Sequence, residues 1–381
     1  MTPRAILQSL LKAQLDPRLS PILYTEFREN PITIYDIGAA GGVYTPFAVG
    51  PTEWAPVVGF EPHPESYQKL IDSKTCQHVR FYEYAISNFD GTTTINAGID
   101  KAATKSSLLP ISPGLNSREE TVNVLSLDSL ADKLNIAPAN FLKLDTEGTE
   151  REILNGGLHM LGDSVLGVRT EIAFWKYSAD ASVFRELDKI LGEKGFILFD
   201  LQLNRDSSGF PYFGGRKDKV RSGDALYLKN FEFLETEGHS RAKQRILLLK
   251  LTSLCVTWGY LGYAAELVSH GRDKDLITQE EFQAVIEPWL KTCDASTYVP
   301  NFPGRATLAR LFDILSYIFN PNVKKGVPFP FNGLGNHWIV PGRTSPNSLI
   351  ELYHPVIKYQ SWNRRKKIDL KKSDGSVGSR S

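Results

Sequence analysis

Chemistry is suggested first by the stretch "YDIGAAGGVYTP", where Asp36 stands two residues before Gly38 and the backbone through Gly42 carries almost no side chains. A strand that ends in such a turn lays backbone N–H groups around a ligand at the carboxyl edge of a sheet. A second apolar run, "VVGFEP", ends in Glu61, twenty-five residues after Asp36. An acid in that place can accept both hydroxyls of a ribose, so the pair describes a nucleoside site. The dinucleotide fingerprint G-x-G-x-x-G is absent, because Ala40 and Val43 stand where its second and third glycines belong. Asp36 would also repel a pyrophosphate. It suits a cationic, amine-bearing ligand, and S-adenosylmethionine carries both a sulfonium and an α-amino group.

These residues need a sheet to hold them. From Ile32 to about Asn230 short β-rich runs alternate with helical patterns, as in an α/β protein whose parallel sheet is covered on both faces. Seven strands are expected: "ITIYDI", "VVGFE", "VRFYEYAI", "NFLKLD", "VLGVRTEI", "FILFDL" and "ALYLK". Helices fit at 64–73, 149–161 and 181–194. Between Phe89 and Leu134 an edge hairpin ("TTTIN", "TVNVLSL") is expected around a polar loop, an insertion of the kind that caps a site. The last two strands are joined by a segment too polar and glycine-rich for a crossover helix, so they should be antiparallel neighbours. The chain divides into an N-terminal helical segment (1–30), the nucleoside-binding domain (31–230), a mostly α region (231–363) and a basic tail (364–381) that reads as disordered.

A third motif, "NFLKLDTEGTEREILNGG", joins the first two. With "DIGAAGGVYT", "GFEPHP", "YAISNFDG", "SSLL", "LDSL" and "VRTEI" it follows the order and spacing of the FkbM-type S-adenosylmethionine-dependent methyltransferases, which the chain resembles over about residues 32–230. The resemblance implies a class I methyltransferase (Rossmann-like) fold with a seven-stranded sheet whose last strand is antiparallel. It also implies methyl transfer to a hydroxyl of a sugar, glycan precursor or secondary metabolite. Carried across by motif, Asp36, Gly38, Ala40 and Gly42 would line the methionine side of the cofactor and Glu61 its ribose. Pro62, Ile86 and Ser87 would border the adenine. Ala40 stands where the family commonly has asparagine.

A hydroxyl acceptor must lose a proton. Asp145, ending the fourth strand, and Glu147, in the turn before Gly148, lie near the emerging methyl group, and either can serve as general base. Thr149 followed by Glu152 also reads as a capping box, and Glu147 and Glu150 as acids near a helix N-terminus, which would make them structural. Lys143 points away from its neighbours and should pair with a carboxylate. Glu171 and Trp175, at the end of the fifth strand, face the same edge and suit the acceptor, an indole by stacking on a sugar ring, although Trp175 reads equally as a core or lid residue. His63 reads as a loop residue. The Arg205–Arg221 loop, with Tyr212, Phe213, Arg216 and Lys217, suits an acidic group or solvent equally. No histidine-carboxylate cluster supports a metal site.

Composition narrows the partners. Forty-four Lys and Arg against forty-three Asp and Glu leave a formal charge of +1, so no global field recruits nucleic acid or an anionic membrane. Cys76, Cys255 and Cys293 are too few and too scattered for a disulfide framework and fit a reducing, cytoplasmic setting. The N-terminus shows no signal-peptide pattern and reads as a docked helix. The run from Ile246 to Val268 is long and apolar enough to be weighed as a membrane span, but Lys250, Glu266 and two glycines favour a buried helix or helical hairpin. Self-association is left open. A nucleoside-binding protein without catalysis and a nicotinamide-dependent oxidoreductase are the alternatives, the latter disfavoured by the glycine spacing.

Overall fold

The computed structural model describes residues 26–43, 55–73, 79–98, 106–109, 117–176, 178–205, 219–235 and 238–294, with a few isolated positions up to 315. The expected N-terminal helix before residue 26, Tyr212, Phe213, Arg216 and Lys217 of the 205–221 loop and the C-terminal tail lie outside the described residues. Two compact units are distinguished: Met1–Gln202 with Ser222–Trp289, and Leu203–Arg221 with Leu290–Ser381. Few residues of the second are described.

The strands are β1 (Ile34–Ile37), β2 (Val57–Phe60), β3 (Arg80–Tyr82), β4 (Ala85–Ser87), β5 (Gly91–Gly98), β6 (Ser117–Ser126), β7 (Phe141–Leu144), β8 (Gly167–Ala173), β9 (Phe196–Arg205) and β10 (Val220–Lys229). Helices are α1 (Pro64–Asp72), α2 (Leu130–Leu134), α3 (Glu150–Asn155), α4 (Leu158–Asp163), α5 (Phe184–Glu193), α6 (Arg241–Thr257), α7 (Leu261–Asp273) and α8 (Gln279–Asp294). Seven strands form one sheet in the order β3-β2-β1-β7-β8-β10-β9, parallel through β8, with β10 antiparallel to β8. This is the class I methyltransferase arrangement. Its chain reverses direction beside β1, and the crevice at the carboxyl ends of β1, β2 and β7 is where such sheets take ligands.

Three expectations are corrected. The run "VRFYEYAI" divides into two strands: β3 stays at the edge of the main sheet, while β4 pairs in parallel with β6. The hairpin β5–β6 therefore builds a separate three-stranded sheet, β4-β6-β5, instead of extending the main one. The helix expected over 149–161 is broken at Gly156–Gly157 into α3 and α4. A Cβ on Gly156 would stand 2.1 Å from the carbonyl oxygen of Ser87, and one on Gly157 would stand 2.3 Å from Leu127, so the break lets β4 and the Leu127 turn come close.

Pleating sorts the main sheet into two cores. Tyr35, Ile37, Leu142, Leu144, Val168 and Ile172 point to one face and pack with Ile153, Leu154, Leu161, Leu187 and Leu191 of the crossover helices. Ile34, Phe141, Leu226 and Leu228 point to the other, where α6 and α7 cover them with Leu247, Leu248, Leu251, Leu254, Leu267 and Val268. The apolar Ile246–Val268 run is thus a helical hairpin, turned at Gly259 (φ +82°). No described helix is long and apolar enough to cross a membrane. Although the sequence changes character after residue 230, α6 and α7 share a core with the sheet. Inside that core Lys250 donates to the carbonyl of Pro31 and to Asn140 Oδ1, both at 2.9 Å.

Candidate functional site

The glycine loop is shaped first by the protein itself. The amides of Gly38 and Ala39 donate to the Phe60 carbonyl (3.0 and 3.1 Å), which ties the loop to the end of β2. Gly38 has φ +84°, and a Cβ there would lie 2.0 Å from the carbonyl oxygen of Asp145. The group that demands a bare backbone at Gly38 is therefore the end of β7. Gly42 is required by its φ of +114°.

Asp36 is 1% exposed beneath this loop. The Lys143 ammonium stands 3.1 Å from its Oδ1 and 3.4 Å from Asp145 Oδ2, and donates to the Gly38 carbonyl at 3.2 Å. Burial pushes the Asp36 carboxyl up to about 6 against the pull of Lys143. Burial also disfavours the Lys143 charge, but the two aspartates outweigh it and raise its pKa. The pairing expected of Lys143 is present, and the cation nearest Asp36 is a side chain of the same sheet.

Glu61 follows β2, is 3% exposed and accepts the His63 amide at 2.9 Å. Its carboxyl is pushed up to about 7, chiefly by burial. His63 is more than a loop residue: its Nδ1 accepts the Ser66 amide and caps α1. Between these loops lies an open cleft. Gly38, Ala40, Glu61, Pro62, Ile86, Asp145 and Glu147 line it together. Phe60, Tyr84 and Ile95 add apolar surface beside Ile86. Asp36 and Ser87 are buried behind the lining, and Gly42, Glu171 and Trp175 also stand outside it.

The turn after β7 departs from the expected capping box. Thr149 makes no side-chain cap and donates its hydroxyl to Thr146, while Glu152 pairs with Arg151. The buried Glu150 takes over: its Oε1 accepts the Thr146 amide and hydroxyl and the Gly148 amide at 2.9–3.2 Å. Glu147 adopts φ +54° and Gly148 +105°. Across the cleft the insertion contributes Ser106, Ser107 and Leu108 to the wall, so it reaches the site as its placement in the sequence suggested. The "SSLL" motif marked these residues, but their role could not be read, because their approach depends on the second sheet.

Glu171 lies one strand away from Asp145, opposite Asp224 of β10. Burial first, then the charges of Asp145, Glu150, Glu147 and Asp224, push its carboxyl up to about 8. Trp175 is 43% exposed beyond the end of β8. Among the described residues no group of three or more His, Cys, Asp or Glu is arranged to hold a metal.

Comparison with known proteins follows the same motifs. Residues 36–198 match the family model described as the methyltransferase FkbM domain. No curated protein matches the chain. Among solved structures, the methyltransferase FkbM from Methylobacillus flagellatus aligns at 14% identity and TM-score 0.32, over 52% of this chain and 44% of that one. The match thus takes in less than half of that chain. Magnesium protoporphyrin IX methyltransferase from Synechocystis, with bound S-adenosylmethionine, aligns at 12% identity and TM-score 0.30, over 55% of this chain and 76% of that one. The fibrillarin pre-rRNA processing protein of Methanococcus jannaschii gives 12% and 0.29, over 52% and 68%. With the sheet order, the glycine loop, Glu61 and the "DTEG" turn assembled around one cleft, residues 36–198 of the chain carry the match to the methyltransferase FkbM domain.

Proposed function

We propose that this domain uses S-adenosylmethionine to methylate a hydroxyl on a sugar, glycan precursor or secondary metabolite in a reducing, cytoplasmic setting. The observation that carries the reading is the buried Glu61 carboxylate at the cleft, set between the glycine loop and the apolar flank of Pro62, Tyr84 and Ile86. Glu61 would accept the ribose hydroxyls, and the apolar flank would take the adenine. Gly38 and Ala40 would border the amino-acid portion, while Asp36 would act through Lys143 by fixing the charge beneath the loop. Bound there, the cofactor supplies a methyl group on a sulfonium, whose transfer leaves a neutral thioether.

Positioning of the acceptor accounts for much of such a barrier, about 7–11 kcal/mol in well-oriented systems. The remaining task is to remove the hydroxyl proton, for which Asp145 and Glu147 stand at the cleft. Glu171 and Trp175 lie at the same end of β8, where an acceptor would enter.

Calorimetry with S-adenosylmethionine, S-adenosylhomocysteine and NAD tests the cofactor: the first two should bind and the third should not. Incubation with methyl-labelled S-adenosylmethionine and fractionated metabolites then tests turnover. Binding of NAD alone would overturn the reading, and cofactor binding without label transfer to any fraction would favour a binding protein.

A further inference from the structure

Three side chains from three parts of the chain hold the turn between β7 and α3. Glu150 gathers the amides of Thr146 and Gly148, and the Ser182 hydroxyl donates to the Gly148 carbonyl at 2.7 Å. The third is Ser107 of the insertion, whose hydroxyl is shared between the carbonyls of Thr146 (3.3 Å) and Glu147 (3.1 Å). Ser107 therefore grips the residue that is not glycine yet sits at φ +54°. A side chain persists in that region only where its surroundings over-determine it, and such outliers concentrate at functional sites.

Ser107 is itself fixed. It is 7% exposed, its backbone forms a bridge with Asn96 of β5, and its hydroxyl oxygen accepts the Leu109 amide at 3.1 Å. The contact thus joins the three-stranded sheet to the turn that presents Glu147 to the cleft.

We propose that Glu147 takes the acceptor's proton and that Ser107 is its positioning residue, the inserted sheet completing the catalytic turn. The inference rests on the methyltransferase reading above. In the step, the hydroxyl proton passes to the Glu147 carboxylate, the acceptor oxygen bonds to the methyl carbon, and the C–S electron pair returns to sulfur. Asp145, 3.4 Å from the Lys143 ammonium, serves to hold the loop ends together.

The test compares Ser107→Ala, Ser107→Thr, Glu147→Gln and the double variant Ser107→Ala/Glu147→Gln. Calorimetry with S-adenosylhomocysteine comes first, then label transfer into the metabolite fraction that the unaltered protein methylates. Ser107→Ala should bind within about twofold of the unaltered protein and lower kcat, not raise KM for the cofactor, by about three- to tenfold, the scale of one hydrogen bond. Ser107→Thr should restore the rate, and Ser107→Ala should cost nothing further in the Glu147→Gln background. Amide exchange at Glu147 and Gly148, which needs no acceptor, should quicken in Ser107→Ala. Equal slowing in both backgrounds, loss of affinity in step with rate, or unchanged exchange would overturn the proposal. If the unaltered protein binds no S-adenosylhomocysteine, the methyltransferase reading falls and this inference with it. If it binds and transfers but Glu147→Gln is equally fast, only the assignment to Glu147 and Ser107 fails.

Discussion

Two buried lysines, Lys143 at the carboxyl edge of the sheet and Lys250 at its amino end, respond to burial in opposite ways. Lys143 lies between the carboxylates of Asp36 and Asp145 and is held more firmly protonated than a free lysine. Lys250 donates to neutral oxygens, from Pro31 and Asn140, and burial pulls it down to about 8 against a weaker pull from the Glu26 carboxylate. Desolvation acts on both, and opposite charge at close range reverses it at one end only. The carboxyl end of the sheet is therefore charged, whereas the amino end is a packed joint between sheet and hairpin. Substitutions at the first should alter binding and chemistry as well as stability, and at the second stability alone.

The largest effect should come from the proposed base. Glu147→Gln should slow methyl transfer about 10²- to 10⁴-fold while S-adenosylhomocysteine still binds. Asp145→Asn should cost less than about tenfold. If Asp145→Asn proves the slower variant, the proton goes to Asp145 and the assignment to Glu147 fails. Next in size is Lys143→Met, which leaves the Asp36 carboxylate buried without its cation and should cost about 3–5 kcal/mol in denaturant unfolding. That cost should be smaller at pH 5.5 than at pH 8, because Asp36, pushed up to about 6, can there take a proton instead. A cost independent of pH would mean that Lys143 contributes by packing alone.

Glu61→Ala should remove about 2–3 kcal/mol of affinity for S-adenosylhomocysteine, the scale of hydrogen bonds to a charged group. Unchanged affinity in a folded variant would take Glu61 out of the site. Lys250→Met should cost only about 1–2 kcal/mol of stability and no affinity, since Asn140 Oδ1 keeps the Thr33 amide as a donor.

The two ends should also differ in the sign of their pH dependence. Glu61 and Glu171 rise on folding from 4.5 to about 7 and about 8, so the folded chain binds more protons and stability falls as pH climbs from about 4.5 to about 8. Lys250 falls from 10.5 to about 8, so the unfolded chain binds more protons and stability from this group rises between about 8 and 10.5. Melting temperatures across this range should show a shallower lower slope in Glu61→Gln, Glu171 keeping the rest, and a shallower upper slope in Lys250→Met, where Lys229, also lowered by burial to about 8, keeps the rest. The same loss in both variants would erase the contrast.

Much of the fold was legible because its signals are local. Alternating β-rich runs marked the seven strands, and the polar, glycine-rich link between β9 and β10 excluded a crossover helix. The charged and hydroxyl residues within the apolar run from Ile246 pointed to a buried hairpin. Asp36, Glu61 and Asp145 could be placed at strand ends because strand ends are written in composition. Glu150 was legible only as an acid near a helix N-terminus, and its hold on the turn was not, since its neighbours Thr149 and Glu152 spell a capping box as well as any local rule can.

By itself the sequence determined which segments are strands, where their carboxyl ends fall, and that an acid and a bare loop meet there, because side-chain pattern and backbone freedom are properties of a few adjacent residues. Tertiary structure alone decided that β4 leaves the main sheet for β6, that Gly38 is bare to admit the Asp145 carbonyl, and that Ser107 reaches the Glu147 carbonyl from forty residues away. Each of these depends on which distant backbone arrives within hydrogen-bonding or van der Waals distance, and that choice is made by the packing of whole sheets.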